Sequence, residues 1–154
     1  MTKALLLVVG AGILLGGNVE AQSVTSPERQ IQPLLDEMQV AANAHDTDRF
    51  LAVYLHDSTL VLVFNGVVTT GYAQVRSLQL KWWNNGKSDV AYRRRGPTGF
   101  RVLTPDIVLA TDTMASSRSD STGAVHTGEF AVTMVWEKRP EGWRIVYAHE
   151  STVR

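Results

Sequence analysis

Apolar residues recur at helical spacing in the first half of the chain and at strand spacing in the second. Ile31, Leu34, Leu35, Met38, Ala41 and Ala42 fall on one side of a 3.6-residue repeat, which predicts an amphipathic helix with a single buried face. Ser26-Pro27 could open it, but a proline deep in a helix clashes with the carbonyl four residues back. The helix is therefore expected to start near Gln30, with Pro33 in its first turn. His45-Asp46-Thr47-Asp48 breaks it and caps a second helix. Phe50, Leu51, Tyr54 and Leu55 form the inner face of that second helix. Thr59–Phe64 is an apolar, β-branched strand. Asn65-Gly66 marks a tight hairpin turn, and Val67–Thr69 is the return. Thr70-Gly71 opens a third helix, Tyr72 to about Asn84, with Val75, Leu78 and Trp82 as its core stripe and Trp83 on the border.

After Gly86 the repeat changes to two. Strands are expected over Asp89–Arg95, Phe100–Leu103 and Ile107–Ser117, with a kink at Gly96-Pro97-Thr98-Gly99. The stretch Gly123–Thr152 reads as a long hairpin turning near Lys138–Gly142. Consecutive strands with short turns pair antiparallel, and one face of the resulting sheet must be covered by the helices. The fold class is α+β: a curved antiparallel sheet around three N-terminal helices.

Composition adds bounds. Met1–Ala21 has a basic residue at Lys3, an apolar run over Ala4–Gly17 and small residues at Val19 and Ala21. This is the pattern of a cleavable export signal; its apolar run is shorter than the roughly 20 residues a membrane span needs. Gln22–Arg29 is then a flexible leader and Gln30–Arg154 one domain, exported to the periplasm or secreted. The 154-residue chain balances 15 basic against 15 acidic residues and has no cysteine. Balance argues against nucleic acid, which requires a basic face. The lack of cysteine excludes disulfides, thiol catalysis and zinc–thiolate sites. No second apolar span follows the signal, so the mature domain is not expected to cross a membrane.

Four groups of residues, in order, carry a family resemblance. They are Asn43-Ala44-His45-Asp46; Tyr54-Leu55-His56-Asp57-Ser58-Thr59; Asn65-Gly66 with Thr70-Gly71; and Gly142-Trp143-Arg144-Ile145 followed by His149-Glu150-Ser151. The chain resembles the nuclear transport factor 2-like superfamily, in its SnoaL-like and ketosteroid-isomerase-like branch. Its nearest likeness is to small exported domains of unassigned reaction. The resemblance implies a cone-shaped sheet with a concave pocket, and a homodimer through the outer sheet face. Fold alone does not give function.

The isomerase branch places a base where this chain has Leu62 and oxyanion donors near Met38 and Thr133, so that activity is not expected. Epoxide hydrolases of this fold use an Arg and two Asp. The only Arg-x-Asp here, Arg118-Ser119-Asp120, reads as a turn. His45, His56, His126 and His149 lack metal-ligand spacing, and no metal or cofactor is expected. In Arg93-Arg94-Arg95, alternation turns Arg94 away from its neighbours, making it a candidate to enter the cone.

In the last strand, Trp143, Ile145, Tyr147, His149 and Ser151 share one parity, and the resemblance puts that face inward. A turn at Lys138–Gly142 then sets Tyr147 opposite Thr133, His149 opposite Ala131 and Ser151 opposite Glu129. His149 and Glu129 become a candidate acid–base pair. Tyr54, Trp82, Trp83, Arg94, Thr133, Tyr147 and Ser151 become candidate ligand contacts. Phe130, Val132, Met134 and Trp136 fall outside, as a candidate dimer surface. The expected function is an exported pocket domain for a small, partly apolar molecule. The alternatives are a cyclase, dehydratase or hydrolase using the His149–Glu129 pair, and a dimeric accessory domain.

Overall fold

The computed structural model describes residues 25–152. The export signal expected over Met1–Ala21 lies outside the described residues. Helix α1 runs over Pro27–Asn43, with Ser26 at its N-cap. It begins earlier than expected because Pro27 occupies the first turn, where no N–H is required. Pro33 sits in the helix interior, on an exposed side, while Ile31, Leu35, Met38, Ala41 and Ala42 are buried.

Helix α2 is a five-residue piece, Thr47–Leu51, capped by the Asp46 side chain accepting from Arg49 N at 3.0 Å. It ends sooner than periodicity suggests. Tyr54 and Leu55 are buried, but as extended chain: Leu55 N donates to Ile145 O at 2.9 Å and Ile145 N to Val53 O at 2.8 Å. A partner strand supplies hydrogen bonds that continued helix would have made internally.

Strands β1 (Val61–Phe64) and β2 (Val67–Thr70) form the first hairpin. Asn65 and Gly66 turn it with φ of 46° and 86°, the left-handed pair that such a turn demands. Helix α3 covers Tyr72–Trp82. Its buried stripe is Val75, Gln79 and Trp83, at i, i+4, i+8. Trp83 is 2% exposed and Trp82 37%, the reverse of the expected roles. A polar residue, Gln79, occupies the middle of that stripe and hides it from an apolar-periodicity reading.

Strands β3 (Ala91–Arg94), β4 (Gly99–Thr104), β5 (Ile107–Ser119), β6 (Val125–Arg139) and β7 (Gly142–Thr152) complete an open sheet in the order β2-β1-β7-β6-β5-β3. β4 pairs with β5 beyond the end of β3. All pairings are antiparallel except β1 with β7, which is parallel. The helices pack on one face, and the core gathers Ile31, Leu35, Leu51, Leu60, Val108, Trp136 and Ile145 there.

The register of β6 against β7 differs from expectation in two places. The turn is tighter, with Arg139 opposite Gly142, so Ile145 faces Trp136. That one-residue change flips every β6 side chain: Phe130, Val132, Met134 and Trp136 point inward, and Met134 and Trp136 are buried. They are not a dimer surface. A bulge at Val146 then inserts one residue into β7 between the Trp136 and Val135 pairings. Beyond it Ala148 and Glu150 turn inward, while Tyr147, His149 and Ser151 turn out.

Motif residues fix the long-range contacts. Asn43 Nδ2 donates to Tyr92 O at 3.0 Å and Asn43 Oδ1 accepts from Tyr92 N at 2.7 Å, so the end of α1 substitutes for a missing strand beside β3. His45 Nε2 meets Val90 O at 2.8 Å. Asn65 Oδ1 accepts from Thr152 N at 2.9 Å, tying the first hairpin to the end of β7. Asn43→Ala should lower the unfolding free energy by about 1–3 kcal/mol, the net worth of two hydrogen bonds at about 0.5–1.5 kcal/mol each. Urea denaturation measures it; an unchanged midpoint would refute the strand-substitute role.

Candidate functional site

A cavity of about 120 Å³ lies between α1, α3 and the inner face of β3 and β5–β7. A dry cavity of about 150 Å³ accommodates benzene, so this one suits a compact, single-ring-sized molecule. Its wall is mostly apolar: Leu35, Met38 and Ala42 from α1, and Met114, Val132 and Met134 from the sheet. Aromatic rings form a connected band. Phe50 packs edge-on to Trp83 at 5.0 Å and lies 5.8 Å from Tyr54, and Tyr92 lies 6.4 Å from Trp83 and 6.3 Å from Phe130. Trp82, partly exposed, lines the cavity and packs on Phe64 at 4.8 Å. The Trp83 indole Nε1 donates to the Tyr92 hydroxyl at 3.1 Å.

Two carboxylates line the same space in contrasting surroundings. Asp112, on β5, is 3% exposed. It accepts from Thr98 Oγ1 at 2.6 Å, and Arg94 Nε lies 3.2 Å away, within ion-pair distance but off the hydrogen-bonding line. Arg94 also donates to Asp36 on α1 at 2.8 Å. That guanidinium, through its hydrogen bond, holds the Asp36 carboxyl below its ordinary pKa.

Glu150 has no such company. The bulge turns it inward, and its lateral neighbours are Val132 on β6 and Phe64 on β1. Burial alone pushes its pKa up from 4.5 to about 7. Among the described residues no cation or hydrogen-bond donor offsets that burial. Tyr54 and Tyr92 are both raised, first by their own burial and further by the charge of Glu150. Their hydroxyls therefore stay protonated at neutral pH, within electrostatic reach of the carboxylate.

Of the residues singled out from sequence, Tyr54, Trp82, Trp83 and Arg94 line this cavity. Thr133, Tyr147, His149 and Ser151 sit on the outer face, with Thr133 opposite His149 and Val135 opposite Tyr147. Glu129 is exposed and paired with Arg95. The His149–Glu129 pair does not form, for the register reason given above. Sequence reading missed Glu150, Asp112, Gln79 and Tyr92. Asp112 carried a signal, because it is a lone acid in the alternating set Val108, Ala110, Asp112, Met114. Leu62 and Met38 are buried apolar residues, with no base or oxyanion donor at those positions. Arg118 and Asp120 are exposed at the β5–β6 turn. Among the described residues no group of three or more His, Cys, Asp or Glu is arranged to hold a metal ion.

A SnoaL-like domain model matches residues 31–154. The chain belongs to the SnoaL-like family. Comparison with curated proteins gives no match. Among solved structures, the SnoaL-like chain is similar to an NTF2-like protein of unknown function from Shewanella oneidensis, with 22% identity, a TM-score of 0.66, and 81% of this chain and 98% of that one covered. It is also similar to a ketosteroid isomerase-like protein from Erwinia carotovora, at 17% identity and a TM-score of 0.67 over 84% and 99% of the two chains. A third likeness is to the association domain of C. elegans CaMKII, at 17% identity and a TM-score of 0.67 over 81% and 95%. At these identities the likeness is one of fold.

The raised pKa of Glu150 has a definite sign for stability. Between its ordinary value and about 7 the unfolded chain ionises while the folded chain holds the proton, so this residue's contribution falls as pH rises through that window. Glu150→Gln should therefore flatten that part of the pH–stability curve. Above pH 7 it should be more stable than wild type by on the order of 3 kcal/mol. Chemical denaturation of both proteins at pH 5 and pH 8 checks this; equal differences at the two pH values would contradict it.

Proposed function

We propose that this protein is an exported pocket domain that binds a small, compact, partly apolar molecule in the cavity, with Glu150 as the polar anchor. The observation that carries the reading is Glu150 itself: a partly buried carboxyl on an apolar, aromatic-walled cavity, with no internal partner. A polar group removed from water without a hydrogen bond costs stability, and a ligand that satisfies it recovers that cost. Apolar walls with a few directed polar groups are the general character of small-molecule sites. Any acid–base chemistry belongs to Glu150 rather than His149. A carboxyl with a pKa of about 7 exchanges a proton readily at neutral pH, and two neutral tyrosine hydroxyls lie within its electrostatic reach. Export rests on the pattern of Met1–Ala21. N-terminal sequencing of protein recovered from the native host should begin near Gln22, and an intact Met1 would refute it.

The pocket reading is testable with a neutral probe such as cyclohexanol. Trp82 and Trp83 on the wall should report saturable binding by fluorescence. Val132→Trp, which fills the cavity from β6, should weaken it by about tenfold or more, a loss of about 1.4 kcal/mol. Binding that is absent in the wild type, or that survives filling, would dismiss the pocket.

A further inference from the structure

We propose that the ligand is a small organic cation: a compact apolar body carrying a positively charged nitrogen, seated between the aromatic band and Glu150. This rests on the pocket reading above and narrows it to a charge class.

The argument is one of balance. The titratable and charged groups lining the cavity with Glu150 are Tyr54 following α2, Tyr92 and Arg94 from β3, and Asp112 from β5. α1 adds Gln39, α3 adds Gln79, and the flanking β1 and β6 positions are Phe64 and Val132, none of them charged. Arg94 is the only basic residue in this lining among the described residues, and it is already held between Asp36 and Asp112. Opening that arrangement for an anionic ligand would strand Asp112, which is buried. Both tyrosines are held neutral by burial. The unanswered charge of the cavity is therefore negative, and it sits on Glu150.

An anion placed beside that carboxylate would meet repulsion strengthened by the low dielectric. A neutral molecule would leave the site using only the protonated form of Glu150. A cation uses everything present. It pairs with the carboxylate in a cavity whose wall includes the rings of Phe50, Tyr54, Trp82, Trp83, Tyr92 and Phe130, and ring quadrupoles attract cations. The volume, about 120 Å³, matches an ammonium group bearing a few methyl or methylene groups rather than a large lipid or polycyclic body.

Calorimetric titration of the full chain with choline, its neutral carbon isostere (a carbon replacing the nitrogen) and the compact anion pivalate tests the charge class. At pH 8 choline should bind at least about tenfold tighter than the isostere, with pivalate weakest. Choline is charged at every pH, so its affinity should follow the ionised fraction of Glu150. That fraction changes about tenfold between pH 8 and pH 6 for a group titrating near 7, and the affinity should change with it. In Glu150→Gln the ratio of choline to isostere affinity should fall to near one. An isostere that binds as well as choline, or pivalate that binds best, would overturn the cation assignment while leaving the pocket intact. Choline affinity that ignores both pH and Glu150→Gln would overturn it as well. Should no probe bind, the cation assignment falls, and the cyclohexanol measurement decides separately whether the pocket falls with it.

Discussion

One extra residue in β7 decides what the interior of this domain contains. β7 lies between β1 and β6, so its facing is inherited by strands on both sides. Before Val146 it presents Trp143 and Ile145 to the helices, and Ile145 is bound on its other edge by the extended segment at Val53–Leu55. After Val146 the alternation reverses, and Ala148 and Glu150 face inward beside β1. A regular strand would have sent Glu150 to solvent and brought His149 inside. Bulges re-aim side chains in this way. Here the re-aimed side chain is a carboxyl, delivered to an apolar wall that nothing else in the described structure neutralises.

A separate pairing lets a short helical layer cover the sheet. α2 is only five residues long, too short to cover the sheet by itself. The chain leaves α2 and pairs briefly with the first part of β7, which buries Val53, Tyr54 and Leu55 without further helix. The cavity is what remains between this patch, α1, the α3 stripe of Val75, Gln79 and Trp83, and the far strands. Asn43 then pins β3 by its Tyr92 backbone, which positions the Tyr92 ring against Trp83 and places Arg94 on the wall. Fold and site are thus coupled through a handful of backbone-directed side chains rather than through the apolar core alone.

Much of the fold was legible in the sequence, and the reasons differ by element. Helix α1 and the Asn65-Gly66 hairpin carry strong local signals: a sustained 3.6 repeat and a dipeptide that tolerates positive φ. The class and the succession of strands along the chain followed from those and from the change of period after Gly86; the parallel pairing of β1 with β7 did not. The inward face of the last hairpin did not follow. Parity propagates a single error down the whole strand, and two one-residue features, the tight turn at Pro140-Glu141 and the bulge at Val146, lie in that hairpin. Pro140 and Gly142 announce a turn but not its exact length, and no residue type announces the bulge. The apolar set Phe130, Val132, Met134 and Trp136 was the stronger guide. Four large apolar side chains on one face of a long strand have far more to gain from burial, at roughly 25 cal/mol per Å², than the polar set opposite. The Arg93-Arg94-Arg95 alternation carried correctly because β3 is short and regular.

The two carboxylates of the cavity separate structural from available charge. Asp112 is the more deeply buried, yet it is accounted for: Thr98 donates to it, Arg94 lies at ion-pair distance, and Asp36 shares the guanidinium. Removing Asp112 would leave a largely buried cation short of a partner, an expense a fold ordinarily avoids. Glu150 is the opposite case. No strand contact, cap or ion pair of the described structure requires its charge, and its burial opposes ionisation. A glutamine in its place would fill the same volume without that penalty. The carboxylate is therefore not explained by stability, and it is the one charged group of the cavity wall that has no charged partner among the described residues.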